Sequence, residues 1–375
     1  MTITPENQIL LKKIPMPLLR WFHGQARRLP WREFPTPYRV WVSEIMLQQT
    51  RVAAVMPYFS RFMAALPDIA SLAAADEDTL LKLWEGLGYY SRARNLQKTA
   101  RILIRQYDGE LPSDYETLLT LPGIGRYTAG AVSSIAYGQK HPAVDGNVLR
   151  VVMRLTDCTD DVLKDTTKRA VEDALQQIMP DGSLAGAFNQ ALMELGALVC
   201  LPRKAASCPD CPLQNLCLAR AAGHVEQLPE KKPKKARRSE QRTVLLLCRN
   251  ASIAIDQRPP HGLLAGLWEL PNYNGHLTKK AVLSLLTEAG LQPVAWKKLP
   301  PARHVFSHIE WDLIGWRIEL TELTGTVREL PETYSQNSLM PPLRWVDPPD
   351  LKHTYSIPSA FQYYLPSDSE PDSKK

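Results

Sequence analysis

Apolar residues recur at helical intervals through roughly the first half of the chain, and the period then changes. Residues 38–65 carry apolar side chains at three- and four-residue spacing, with Pro57 as the expected break. The stretch 79–87 shows the same periodicity and stops at Gly88. Further helices are predicted at 113–121, 127–137, 147–155, 166–178 and 188–199. Beyond position 242 the pattern turns to β-rich runs. Residues 243–248 and 253–257, joined by Arg249-Asn250, predict a hairpin. A helix follows at 278–289, capped by Thr278 and stopped by Gly290, with further strands at 313–320 and 343–346. The pattern predicts an all-helical domain followed by a smaller α+β domain.

Composition changes this picture little but divides it. At 375 residues, with 44% hydrophobic residues and 9 Trp, two domains with substantial cores are expected. Residues 223–242 hold two prolines and six Lys or Arg between Lys231 and Arg238, and read as an extended basic linker. The expected organisation is a helical domain at 1–222, this linker, a second domain at 243–365, and a polar unstructured tail at 366–375. A formal charge of +6 permits nucleic-acid binding without requiring it. No apolar run is long enough to span a bilayer and no cleavable leader opens the chain, so an intracellular, reducing location is expected.

Clustered cysteines in such a compartment favour a metal over disulfides. Cys200 stands at the end of a predicted helix, with seven residues between it and Cys208, and Cys211 and Cys217 follow closely. Structural zinc usually takes two short pairs, whereas one separate cysteine and a compact group of three suit a 4Fe–4S cluster better. Cys158 and Cys248 read as buried small hydrophobes.

Three features could carry chemistry. The turn Leu121-Pro122-Gly123-Ile124-Gly125-Arg126, just before a helix, can point N–H groups at a phosphate, although Gly-x-Gly also occurs in ordinary connectors. Glu44 lies among apolar residues, either on a solvated face or desolvated into a general acid. Asp145 enters a helix, where it is either a plain cap or a carboxylate kept ionised by the helix terminus. An acid held protonated beside a base held charged is the pairing that glycoside cleavage needs.

The hairpin turn at 121–130, the Val-Asp-Gly-Asn run at 144–147 and the cysteines at 200–217 resemble the endonuclease III superfamily of DNA glycosylases. Leu29-Pro30-Trp31-Arg32, the run 43–50 and Gly86-Leu87-Gly88-Tyr89-Tyr90-Ser91-Arg92 resemble its adenine glycosylase (MutY) branch. The resemblance implies an all-α helix-hairpin-helix glycosylase domain with a 4Fe–4S cluster loop, linked to an α+β Nudix-like (MutT-like) domain. It implies that Cys200, Cys208, Cys211 and Cys217 hold the cluster. The first interval has seven residues where the family usually has six, which leaves Arg203 and Lys204 without a matched phosphate role.

Bifunctional members place a lysine where this chain has Tyr127, so the resemblance implies base removal without strand nicking. Glu44 would protonate the adenine, Asp145 would stabilise the sugar cation, and Tyr127 and Asn147 would hydrogen-bond these carboxyls. Arg27, Trp31 and Gln190 are implied for the adenine pocket, Gln49 and Tyr89 for the space left in the duplex, and Gly123, Gly125 and Arg126 for phosphate. In the second domain the segment 262–271 resembles a Nudix entry segment, but the helix at 278–289 offers only Glu288 where a pyrophosphatase needs several carboxylates for Mg²⁺. Phe306, Ser307 and His308 match the loop that inspects 8-oxoguanine, with Arg303 and His304 as further phosphate contacts. The implied partner is duplex DNA with adenine opposite 8-oxoguanine or guanine, bound by a monomer without a membrane. A strand-nicking lyase is disfavoured by Tyr127, and a purely binding damage sensor by the presence of both Glu44 and Asp145.

Overall fold

The structure, a computed structural model, describes residues 3–202, 205–231, 236–321, 340 and 342–366. Its contacts divide the chain into two compact units, Met1–Ala75 with Ser91–Lys234, and Asp76–Tyr90 with Lys235–Lys375.

The helices run α1 (Pro5–Leu11), α2 (Pro15–Gln25), α3 (Pro30–Glu33), α4 (Pro37–Leu47), α5 (Val52–Ala65), α6 (Ile69–Ala74) and α7 (Glu77–Trp84). Then follow α8 (Ser91–Gln106), α9 (Tyr115–Thr120), α10 (Arg126–Ile135), α11 (Gly146–Leu155), α12 (Asp165–Gln176), α13 (Ser183–Leu198) and α14 (Leu218–Ala222). The first unit's core gathers Leu11, Leu18 and Phe22 from α1 and α2 with Val148 and Val152 of α11 and Phe188 and Leu192 of α13. These apolar faces are thus buried against one another.

Several expectations are corrected. The long helix at 38–65 is broken at 48–51 rather than at Pro57, which lies inside α5. The reason is distant in sequence: the Arg92 guanidinium takes the carbonyls of Ile45 (2.9 Å), Met46 (3.0 Å) and Gln48 (2.6 Å), ending α4. Helix α8 was not expected, because its many charges hide an apolar stripe at Ala93, Leu96, Ala100 and Leu103. Helix α7 groups with the second unit, although sequence order puts it within 1–222. Asp78 accepts from Trp268 Nε1 (3.3 Å), Lys82 donates to Tyr355 O (3.0 Å), and Glu85 accepts from Ile357 N (2.9 Å).

The linker is also shorter than 223–242. Leu228 is buried, with its carbonyl held by Arg154 Nε at 2.9 Å, and Glu230 O accepts from Val162 N at 3.3 Å. At the other end Arg238 already lies in a strand. Polar composition suggested a tether, but backbone groups at both ends find partners. Arg203, Lys204 and linker residues 232–235 lie outside the described residues, as does all of the expected tail except Pro366.

The second unit contains β1 (Arg238–Arg249), β2 (Ser252–Gln257), β3 (Trp268–Glu269), β4 (Asn272–Asn274), β5 (Pro293–Val305), β6 (Ile309–Leu320) and β7 (Arg344–Val346). Its helices are α15 (Lys279–Glu288), α16 (Pro348–His353) and α17 (Ser359–Gln362). The sheet order is β3-β2-β1-β6-β5, with β4 on β1 and β7 on β2, and β1 runs parallel to β6. Val244, Leu246 and Cys248 face one core with Trp311 and Phe361, while Leu245 and Leu247 face another with Val282 and Leu286. Burial on both faces explains the unbroken apolar run in β1. The predicted hairpin forms with Asn250 in the left-handed region (φ 53°), and Arg249 belongs to β1. Strand β5, an exposed proline-containing edge, gave no periodic signal.

Candidate active site

Helix α4 starts at Thr36, whose hydroxyl accepts from Arg39 N (3.3 Å), with Pro37 in the first turn. It delivers Glu44, 5% exposed, into a cavity of about 130 Å³ within the first unit. Asp145, Tyr127 and Asn147 line the same cavity. The desolvated reading of Glu44 therefore replaces the solvated one. Burial pushes its carboxyl up to about 7; the Tyr127 hydrogen bond opposes this, the Asp145 charge adds to it and Arg32 opposes it.

Tyr127 occupies the first turn of α10 and donates its phenolic proton to Glu44 Oε2. Met193 Sδ lies 3.6 Å from the Tyr127 hydroxyl. Burial, with the charges of Glu44 and Asp145, holds the phenol far above its ordinary pKa, so it remains a neutral donor.

Asp145 is the N-cap of α11. Its Oδ1 accepts from Asn147 N (2.9 Å) and Val148 N (2.8 Å), and its Oδ2 from Asn147 Nδ2 (2.8 Å). Burial nonetheless raises its pKa, against these donors and the Arg150 charge. The helix terminus was expected to favour the ionised form; its donors do act that way, but desolvation outweighs them in setting the direction. Arg150 extends the network, with Nη2 donating to Asn147 Oδ1 (2.7 Å) and Gly196 O (2.7 Å) and Nε to Cys200 O (2.7 Å).

The opposite wall contains residues that sequence reasoning missed. Glu194 on α13, 1% exposed, is gripped by Arg27 (Nε–Oε1 2.8 Å, Nη2–Oε2 2.9 Å) and by Arg32 (Nη2–Oε2 3.0 Å). Burial alone would raise this carboxyl; the bonds from Arg27 and Arg32 bring it down to about 2. Arg32 Nε also donates to Gln190 Oε1 at 2.8 Å. Trp31 lines the cavity and packs edge-on against Phe59 with centroids 5.4 Å apart. The available signal was a carboxylate inside the apolar α13, one turn after Gln190, the same anomaly that marks Glu44.

The other expected site residues fall elsewhere. Gly123 has φ 77°, and a Cβ there would lie 2.7 Å from Asn95 Cβ, so glycine is required twice over. Gly125 is extended (φ −99°), with open space beside it, and needs no glycine for conformation. Arg126 is paired with Asp165 (2.6 Å) and Glu172 (3.2 Å), which competes with a phosphate role. Gln49 is exposed on the turn after α4, in the left-handed region (φ 59°). In the second unit Tyr89 is 45% exposed, and its hydroxyl meets Ser307 Oγ at 2.6 Å. Phe306 packs edge-on against Trp311 (4.9 Å), while Ser307 and His308 are exposed at the β5–β6 turn. Arg303 pairs with Glu310, and His304 packs against Phe306 at 4.7 Å.

Cys200, Cys208, Cys211 and Cys217 line one void of about 30 Å³. Arg154, 1% exposed, puts Nη1 3.3 Å from Cys200 Sγ, and its buried Nη2 has no hydrogen-bond partner among the described residues. Among those residues no three His, Cys, Asp or Glu side chains are grouped for a single metal ion. Four cysteines thus border one void, with the Arg154 guanidinium beside Cys200. Cys248 is buried, as its reading as a buried small hydrophobe requires, whereas Cys158 is only half-buried. Among the described residues no helix is long and apolar enough to cross a membrane.

Comparison with known proteins converges on this geometry. Residues 42–180 match the HhH-GPD superfamily of base excision DNA repair proteins, and residues 242–366 match the NUDIX domain. The human adenine DNA glycosylase is 35% identical over 92% of this chain and 72% of its own length. That of Buchnera aphidicola (Schizaphis graminum) is 34% identical over 81% and 87%. A thermostable thymine-DNA glycosylase superposes with a TM-score of 0.50 at 26% identity, over 58% of this chain and 98% of its own. With identity of this order over most of both chains, and two carboxyls converging on one cavity, the chain belongs to the adenine DNA glycosylases, base excision repair enzymes that hydrolyse an N-glycosyl bond in DNA.

Proposed function

We propose that this enzyme removes adenine mispaired with 8-oxoguanine or guanine from duplex DNA, leaves an abasic site and does not nick the strand. The observation that carries the reading is the meeting of Glu44, Asp145 and Tyr127 at one cavity, with a phenol where strand cleavage would need an amine. The target nucleotide must leave the stack to enter. Trp31, Arg27 and Gln190 then form the wall that meets the adenine, with Glu194 and Arg32 holding those polar groups in place.

The division of labour between the carboxyls follows from their donors. Asp145 accepts three N–H bonds and Glu44 one O–H, so a single negative charge shared by the pair resides on Asp145. With Oε2 of Glu44 engaged by Tyr127, Oε1 carries the proton and delivers it to N7 of adenine as the C1′–N9 bond breaks. The emerging oxocarbenium charge faces the Asp145 carboxylate. Glu44, now ionised, takes a proton from the water that adds to C1′.

The four cysteines would hold a 4Fe–4S cluster beside Arg154, supplying a covalent staple to the loop 200–217 rather than a step at the sugar. Gln49 and Tyr89 fill the duplex around the extruded nucleotide, and Ser307 and His308 offer polar atoms to the oxidised base, with Phe306 braced behind them. Gly123 and Gly125 present backbone N–H groups to the DNA phosphate. A monomer acting on nucleoid DNA is the simplest form of this reading.

The test is a duplex carrying adenine opposite 8-oxoguanine. Scission only after alkali is expected; scission without alkali sinks the monofunctional assignment, and none under either condition sinks the glycosylase reading.

A further inference from the structure

We infer that α13 sets the position of Asp145 through two residues outside the reacting centre, Asn189 and Gly196. They are seven residues apart, two helical turns, and so share one face of α13. That face meets the chain on both sides of Asp145.

Upstream, Asn189 is fully buried. Its Oδ1 accepts from Ala143 N (3.1 Å), and its Nδ2 donates to His141 O (2.8 Å) and to Ser134 Oγ on α10 (2.8 Å). This non-repetitive segment has no backbone ladder of its own, so one amide replaces it. Helix α10 closes on the same segment from the other side, where a Cβ on Gly130 would sit 2.2 Å from Pro142 O.

Downstream the contact is steric. A Cβ on Gly196 would lie 2.6 Å from Asn147 Cβ and 3.1 Å from both Asn147 Cα and O. These atoms cannot rotate away, so Asn147 occupies its place only because residue 196 has no side chain. From that place it donates twice to Asp145, through N and Nδ2. Between the two grips only Val144, Asp145 and Gly146 remain. Asn189 and Gly196 are therefore positioning residues, which fix the segment 143–147 where Asp145 receives its donors.

The inference rests on the assignment of Asp145 to the sugar cation, and the two fail separately. If Asp145→Asn keeps the normal rate, that assignment falls. If Asp145→Asn is inactive while the variants below behave as wild type, only the positioning role falls. Gly196→Ala must displace Asn147 and loosen its bonds to Asp145. The groups facing Asp145 are Glu44 from α4, Tyr127 from α10 and Arg150 from α11, and Glu194 of α13 is occupied by Arg27 and Arg32. Arg150 is itself bonded to Gly196 O and Asn147 Oδ1, so a shift in titration reports the loosening of the Asn147–Arg150 network around Asp145.

The experiment uses the full-length, cluster-loaded protein and single-turnover adenine release from pH 5 to 9. Duplex affinity is measured in parallel with a non-hydrolysable adenosine analogue. For Gly196→Ala the rate falls roughly 10²-fold, as expected for a small misplacement at the reacting centre. The acid limb of the profile moves to higher pH, and duplex affinity stays within about two-fold, since the DNA-facing surface is untouched. Asn189→Ala removes atoms rather than adding them, moves both readouts the same way, and carries the test if Gly196→Ala does not fold. A folded variant with wild-type rate and acid limb overturns the inference. So does a rate loss matched by lost duplex affinity with an unmoved profile.

Discussion

Glu44 and Asp145 in the helical unit, and Asp256 and Glu269 in the sheet unit, are carboxyl pairs wholly or partly withdrawn from water, and burial raises all four. Asp256 even reaches about 7, as Glu44 does. The neighbours differ. Glu44 and Asp145 line a cavity that can admit a reactant, and they carry unequal sets of donors. Asp256 and Glu269 face each other across the β2–β3 ladder, and Arg258 Nη1 holds Glu269 at 2.6 Å. The second pair is a structural knot in a sheet. A shifted carboxyl marks chemistry only where there is room for a substrate and a reason for the two groups to part roles.

The sharpest way to break this comparison is Glu44→Gln. It keeps the shape and the acceptor for Tyr127 but has no proton to give. Adenine release should fall roughly 10²- to 10⁴-fold with duplex affinity retained; a normal single-turnover rate would erase the distinction between the pairs. In the wild type the rate should also decline as pH rises through about 7, because the acid form of Glu44 is lost there.

Next in size is Arg258→Met, which leaves Glu269 buried without its cation. A loss of about 3 kcal/mol in unfolding free energy is expected, with little change in excision rate per folded molecule. A rate collapse without destabilisation would mean that the sheet pair has a chemical role after all.

The two pairs should also separate in stability against pH. Folding raises the Glu44 pKa from 4.5 to about 7, so the folded chain binds this proton more tightly than the unfolded one. The resulting stabilisation is complete below pH 4.5 and is lost as pH rises through 7. Glu44→Gln does not titrate, so its advantage over the wild type should grow across that window, by at most about 3 kcal/mol. Denaturant melts at pH 5 and 8.5 measure it; an equal difference at both values would place Glu44 in water.

The smallest effect belongs to the exposed turn. Ser307→Ala removes one hydroxyl, and preference for 8-oxoguanine over guanine should fall about five-fold, the worth of one hydrogen bond. An unchanged ratio of rates on the two duplexes would remove Ser307 from base inspection.

What could be read from the residues alone was whatever local chemistry enforces. The helix start at Asp145, the stop after the helix at 278–289 and the turn at Gly123 all follow from neighbours in sequence. Glu44 stood out because a carboxylate in an apolar helix is costly unless used. Tertiary structure decided what depends on partners far along the chain. Arg92 ends α4 by reaching across 44 to 47 positions, a contact no window around Pro57 contains. Glu194 carried the same anomaly as Glu44, but its partners Arg27 and Arg32, more than 160 positions away, were set only by the fold. The net direction of the Asp145 shift was likewise hidden. A sequence shows the donors that surround a helix cap, but desolvation is a property of everything packed around it, and only the folded chain sets that.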